Sequence, residues 1–330
     1  MDSLTHSLTA YMMSRAGLNR WCPHATPVLL MAANVPDVDF LSALGGSPAL
    51  LDFHRGPTHA VLWLPLVALA PLLPMLLFAP RSMKWGRAWL VSMLGVASHL
   101  LLDWTNIYGV RLLTPLKQRY YHLDIAAVID PWLLAALVLC AGWFALSGLV
   151  SSEIGAAKTG SRGVAVFALL FLCFWQGGRF VLHERAVALL DSRIYLGAAP
   201  RRVAALPHFA TPFRWTGLVE TETAYLEFDV NLLKANFDPT AGRVFYKAEP
   251  SPAIQAARAT DTFRRFLRFA QYPLWRVMPA EKPGGAWRVQ VMDMRFGHPG
   301  TERFLATALI DRNLRVIEES FQFQPSGASR

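Results

Sequence analysis

Charge is scarce in this chain. Only 17% of its 330 residues are Asp, Glu, Lys or Arg, against 53% apolar ones, whereas a soluble globular domain carries nearer a quarter charged. Cysteine is scarcer still. Cys22, Cys140 and Cys173 stand too far apart for a disulfide framework or a zinc knuckle. Secretory-leader features are also absent: MDSLTHSLTAYMMSR has an acidic residue at position 2, no basic n-region and no small-residue cleavage site. Insertion into a membrane is therefore expected to use the helices of the chain itself. Lys and Arg outnumber Asp and Glu by 32 to 23, giving a net charge of +9, but they are dispersed, so no nucleic-acid partner is expected. The densest group, Arg258, Arg264, Arg265 and Arg268, reads as the solvated face of a helix.

What the chain has in quantity is long apolar runs in its first half. Four approach spanning length: His59 to Ala79, Gly86 to Asp103, Pro131 to Val150 and Gly163 to Leu182. About 20 residues at 1.5 Å rise cross a hydrocarbon core of roughly 30 Å. The first run contains Pro65, Pro71 and Pro74, which membrane helices tolerate when neighbours re-satisfy the freed carbonyls. Ahead of them, Ser3 to Arg15 reads as a helix capped by Ser3. Thr26 to Val35 reads as a second apolar helix stopping at Pro36, too short to cross, and Gly45 to Asp52 as a loop.

After Arg185 the character changes. Period-two alternation in VETETAYLEFDV and WRVQVMDMRF marks strands. The expected β segments are Trp215 to Val230, Arg243 to Ala248, Ala286 to Phe296, Phe304 to Ile310 and Arg315 to Phe323, with one amphipathic helix at Ile254 to Ala270. The expected architecture is mainly α. Residues 1–184 form a helical membrane domain of about four transmembrane helices plus a short N-terminal hairpin, and 185–330 a soluble α+β domain.

The first third concentrates His and Asp inside or beside these apolar runs: Asp2, His6, Asp37, Asp39, His54, His59, His99 and Asp103. Ionisable groups in an apolar setting cost several kcal/mol unless paired or bound to a metal. His99 and Asp103 are four apart, on one helix face. Pro57 suits a first helical turn, with His54 before it and His59 within it. Asp37-Val38-Asp39 offers carboxylates that can bridge cations or orient an imidazole. An up-down helix pair returns His59 and Asp103 to one membrane face, and the N-terminal hairpin brings His6 and Asp37 to one level. The candidate metal ligands are His6, Asp37, Asp39, His54, His59, His99 and Asp103, with Asp39 or Asp103 as general base and Arg55 as a clamp on a phosphate oxygen. Imidazole and carboxylate donors suit zinc first, then manganese or iron. Asp124 and Asp130 follow in the next loop, and Asp130 also reads as the cap of the helix at Pro131.

The segments MDSLTHSLTA, AANVPDVDFL, HRGPTHAVL, SHLLLDWTNIYGVRLLTP and DIAAVIDPW resemble the YdjM-like family, described as bacterial inner-membrane-associated, metal-dependent hydrolases and also labelled LexA-binding. The similarity covers about residues 1 to 150. It implies an integral inner-membrane protein and a hydrolase. Ala60 stands after His59 where serine is common, while Ser7 after His6 is kept. The order of His and Asp donors is also similar to that of the zinc-dependent phospholipase C and P1 nuclease group, a likeness of arrangement that does not fix chemistry.

The expected activity is hydrolysis of a phosphoester, a lipid or isoprenoid phosphate being the candidate substrate and membrane lipids the surroundings. The alternative is a non-enzymatic membrane scaffold or regulator that binds a protein partner through its C-terminal domain. Arg15, Arg20, Arg81, Lys84, Arg87, Lys158 and Arg162 fall opposite the site, and Arg55, Arg111, Lys117 and Arg119 on its side. The positive-inside rule then favours a periplasmic site and C-terminal domain.

Overall fold

The computed structural model describes residues 1–78, 83–153, 155, 162–234, 237–280, 286–301 and 303–323. Arg81 and Lys158, two of the basic residues expected opposite the site, lie outside the described residues, as does most of the stretch expected to link the last two spans. The chain divides into two compact units. The first comprises residues 1–39, 55–183 and 207–212, and the second 40–54, 184–206 and 213–330.

The first unit is helical. Helix α1 (Ser3–Met13) is capped by Asp2, not Ser3: the Asp2 carboxylate accepts from the Thr5 amide at 2.9 Å. A wide turn at Ser14–Leu18 contains Gly17 at φ +148°, a backbone setting that favours glycine. The short α2 (Asn19–Trp21) leads to α3 (Ala25–Ala32). The expected stop at Pro36 does not occur. The chain continues through 3-10 turns at Val35–Gly45, because Pro36 falls in a first turn where its missing N–H is no loss. Ala25–Gly45 is thereby long and apolar enough to cross a membrane, as are α8 (Pro131–Glu153) and α9 (Arg162–Asp191). Phe174 and Leu139 are 77% and 74% exposed, surfaces suited to lipid and unsuited to water.

The run at His59 to Ala79 is not one helix. It breaks into turns at Pro57–His59 and Val61–Trp63, then α5 (Leu64–Val67) and α6 (Leu72–Phe78). The expected loop before it is a helix, α4 (Ser47–Phe53). Ser47–His59 and Val61–Leu77 together have the length and apolarity of a span but are bent by 57°. The prolines cause the breaks, and α7 (Trp85–Trp104) repairs them from outside. Trp89 Nε1 donates to the Pro65 carbonyl at 3.0 Å and Ser92 Oγ to the Ala68 carbonyl at 2.7 Å.

Helix α7 forms where expected, with one face buried and Leu90, Leu94 and Leu101 exposed on another. Val91, Val96, Leu100, His99 and Asp103 are all buried, and it packs on α3, with Gly95 against Ala32. Asp130 caps α8: its Oδ1 accepts from the Trp132 and Leu133 amides, each at 3.1 Å, and its Oδ2 from Trp175 Nε1 at 2.8 Å.

The second unit holds two four-stranded sheets, each in sequence order. The first is β1 (Arg202–Pro207), β2 (Arg214–Glu220), β3 (Ala224–Asn231) and β4 (Arg243–Tyr246). The second is β5 (Pro273–Pro279), β6 (Trp287–Asp293), β7 (Leu305–Ile310) and β8 (Val316–Gln322). The β segment at Trp215 to Val230 is a hairpin, because the Thr221 hydroxyl and amide close a turn on Ala224. Strands β1 and β5 were not among the expected segments. The single amphipathic helix is two, α10 (Pro252–Arg258) and α11 (Asp261–Phe269), since the Thr260 hydroxyl caps a fresh helix start. Phe263, Phe266 and Phe269 turn inward from α11. Asp52 on α4 pairs with Arg265 and Arg268 of α11, so segment 40–54 belongs to this unit.

Candidate metal centre

Three elements of the first unit bring four donors together. The 3-10 segment after α3 carries Asp37, the Pro57–His59 turn carries His59, and α7 carries His99 and Asp103 one turn apart. His59 Nε2 lies 3.1 Å from His99 Nε2. Asp37 Oδ1 is 3.6 Å from both imidazole atoms, and Asp103 Oδ2 is 3.6 Å from His59 Nε2 and 3.7 Å from His99 Nε2. The four atoms all lie within 4.8 Å of one another and could hold one metal ion. Metal–ligand bonds of about 2.0–2.1 Å in tetrahedral geometry give edges of roughly 3.3–3.4 Å. Five of the six edges, at 3.1 to 3.7 Å, bracket that value.

The outer nitrogens decide the tautomers. His99 Nδ1 is 2.7 Å from the Ala33 carbonyl, which only accepts, so this nitrogen carries the proton. His59 Nδ1 is 3.2 Å from Asp39 Oδ2, and a carboxylate likewise asks for a proton there. Thr58 Oγ1 donates to the same Asp39 oxygen at 2.6 Å, as does the Arg55 amide at 2.9 Å. Asp39 thus orients His59 from behind, the arrangement usual for metal-binding imidazoles. The two Nε2 atoms then face each other across 3.1 Å, the disposition of two donors to a single ion.

Arg55 and His6 border the group. Arg55 is buried with a left-handed φ of +55°. Its Nη2 is 3.0 Å from Asp103 Oδ2, its Nη1 donates to Asn106 Oδ1 at 2.9 Å, and the guanidinium lies 4.8 Å over the Tyr108 ring. His6 stacks on His99 with centroids 3.9 Å apart, and its Nε2 is 3.2 Å from Asp103 Oδ1. The Met1 amino group also contacts that oxygen. Burial first, then the neighbouring His99, holds the His6 imidazole well below its ordinary pKa, so it is neutral. Its Nδ1 is buried and makes no hydrogen bond among the described residues. His54 follows α4 in the second unit, its ring edge-on to Phe40. Asp124 pairs with His122 at 2.8 Å, and Asp130 is occupied as a helix cap.

Thr58, Asn106 and Tyr108 border the group without being among the residues that the sequence pattern singles out. Thr58 sits inside the His54–His59 motif, and Asn106 follows Asp103 by three residues, so proximity to the donors was the one available signal.

Apolar spans around a buried His/Asp group able to hold a metal define a helical membrane protein with a candidate metal centre. The chain belongs to the YdjM inner membrane protein family, whose model matches residues 1–186. Residues 252–326 match the YfhP C-terminal alpha/beta plait domain, the stretch from α10 through β8. The uncharacterized protein YfhP of Bacillus subtilis (strain 168) is 24% identical over 304 residues, covering 89% of this chain and 84% of that protein. No solved structure matches.

Proposed function

We propose that this chain is a membrane-bound, metal-dependent hydrolase of a phosphoester, with a lipid or isoprenoid phosphate as substrate. The observation that carries the reading is the grouping of His59, His99, Asp37 and Asp103, whose ligand atoms all lie within 4.8 Å of one another. Zinc suits this donor set best, with manganese or iron as alternatives. When bound, the metal supplies Lewis-acid activation of water and of a phosphoryl oxygen.

The chain's own residues have distinct tasks. Asp39 and the Ala33 carbonyl hold the two imidazoles in the donor tautomer. Asp37, whose side chain is 25% exposed while the other three donors are buried, is the donor through which water and substrate would reach the group. Arg55 places a fixed positive charge beside Asp103 where phosphate charge would be received. His6, stacked on His99, presents an Nδ1 without a hydrogen-bond partner among the described residues beside the donors.

The test is paired. Metal content is measured by mass spectrometry for the wild type and His59→Ala, and phosphate release is followed over a panel of lipid and isoprenoid phosphates. Bound metal with no release from any phosphoester would refute the hydrolase reading while leaving the metal centre standing. The excess of Lys and Arg on the far side supports a periplasmic site and C-terminal domain. A C-terminal alkaline phosphatase fusion is expected to be active, and an inactive one reverses the orientation.

A further inference from the structure

A second site lies at the opposite end of the first unit. Arg87 and Asp103 are sixteen positions apart on α7, about 24 Å at 1.5 Å per residue. At the Arg87 end, the wide turn after α1 and the short α2 border a cavity of about 610 Å³. Met13, Leu18 and Leu169 give it an apolar wall, and Arg20 and Arg162 stand at its rim beside Trp21.

Two further arginines crowd this end. Arg15 lies 4.7 Å over the Phe144 ring. Arg87 lies 5.7 Å over the Trp21 ring and donates to the Trp21 carbonyl at 3.1 Å. Arg162 donates through Nε to the Ala16 carbonyl. Among the described residues, none of these four guanidinium groups pairs with a carboxylate, and no acidic residue lines the cavity. In a chain with so few charges, two unneutralised cations lining one apolar cavity, with two more at the same end of the unit, repel each other and favour an anion.

We infer that this cavity binds an anionic phospholipid, with its phosphate between Arg20 and Arg162 and an acyl chain along Met13, Leu18 and Leu169. Guanidinium forks match phosphate oxygens bidentately. Basic pockets between transmembrane helices favour anionic headgroups. Arg162 opens α9, one of the membrane-crossing helices, which puts the cavity at headgroup depth. Trp21, 40% exposed, is a residue type that anchors at that depth. A free phosphate would satisfy the arginines but leave the apolar wall uncovered, so the lipid is favoured.

Native mass spectrometry of the full chain in detergent, titrated with phosphatidylglycerol, phosphatidylcholine or glycerol phosphate, tests this. Phosphatidylglycerol adducts are expected to persist at least tenfold more strongly than phosphatidylcholine adducts, and equimolar glycerol phosphate should not displace them. Arg20→Gln with Arg162→Gln should lower phosphatidylglycerol retention at least tenfold without changing metal content, whereas Arg312→Gln should not. Arg20→Lys with Arg162→Lys keeps the charge and should retain most of the binding, which covers the case in which the glutamine pair misfolds. Equal retention of the two lipids, displacement by glycerol phosphate, or full retention in a folded glutamine variant would each overturn the assignment.

Discussion

His59 and His99 stand forty residues apart in the chain and 3.1 Å apart at their Nε2 atoms. Each has its Nδ1 proton claimed elsewhere, by Asp39 and by the Ala33 carbonyl. With both Nδ1 atoms so engaged, the two Nε2 atoms are turned toward one another as two donors to one ion would be.

His59→Ala and His99→Ala are therefore each expected to lower bound metal from near one equivalent to under a tenth, read by mass spectrometry of purified protein. Asp39→Asn should be milder, since it loosens the His59 ring without deleting a donor. Losing such an orienting partner weakens metal affinity about 10- to 100-fold. Unchanged metal in both histidine variants would remove the metal centre.

Chelation should also destabilise the protein. Binding to the folded state alone adds RT ln(1 + [L]/Kd), about 2.7 kcal/mol at a hundredfold excess over Kd. The apparent melting temperature in detergent should fall on chelation and recover with added zinc. Lowering the pH should mimic chelation, because protons compete with a metal ion for its imidazole and carboxylate donors. A melting temperature indifferent to chelator and zinc would count against a resident ion.

Gly95→Ala tests the scaffold without touching a donor. A Cβ there would sit 2.7 Å from Ala32 Cβ and 3.4 Å from the Leu29 carbonyl oxygen. Helices α3 and α7 must part, at about 1–3 kcal/mol. The shift moves the Ala33 carbonyl away from His99 Nδ1, so metal affinity should fall on the order of tenfold as well. Loss of stability with undiminished affinity would show that the Ala33 contact is dispensable.

Asp130→Ala removes the cap of α8 and the acceptor for Trp175. A loss of about 1–3 kcal/mol is expected in thermal unfolding, and Asp130→Asn should recover part of it. Metal content should stay unchanged, because Asp130 is committed to the helix.

In the second unit, Asp293 and Arg295 form a fully buried ion pair. Asp293 also accepts from the Gln271 amide at 3.0 Å, and Arg295 Nη2 donates to the Phe269 carbonyl at 3.3 Å. Asp293→Ala leaves a buried guanidinium unpaired and should cost about 3–5 kcal/mol. Asp293→Leu with Arg295→Met should be less damaging than either change alone. A double variant worse than both singles would show that the pair's charge, not its pairing, holds the domain.

The helical front half, the α+β rear half and the family were legible because they rest on local pattern. Long apolar runs identify the spans at Pro131 and at residues 162–163, and alternation identifies β6 and β7. Errors fell where a single hydrogen bond or a proline decides locally. Thr260 splits an amphipathic run that looks continuous, Thr221 folds a strand back on itself, and the prolines after His59 break a run whose composition suits a span. Pro36 misled in the other sense, because a first turn absorbs the N–H it lacks.

The sequence alone supplied the candidate donors, because histidines and aspartates inside or beside apolar runs stand out by their cost. It could not separate Asp37 from Asp39. Both lie in the same short motif, yet one Oδ1 faces the two imidazoles while the other carboxylate stands behind His59 and takes the Thr58 and Arg55 protons. That division depends on the close approach of α3 and α7 at Gly95 and on the bend that ends in His59. Only packing in three dimensions sets such contacts, because the residues that meet there are tens of positions apart in the chain.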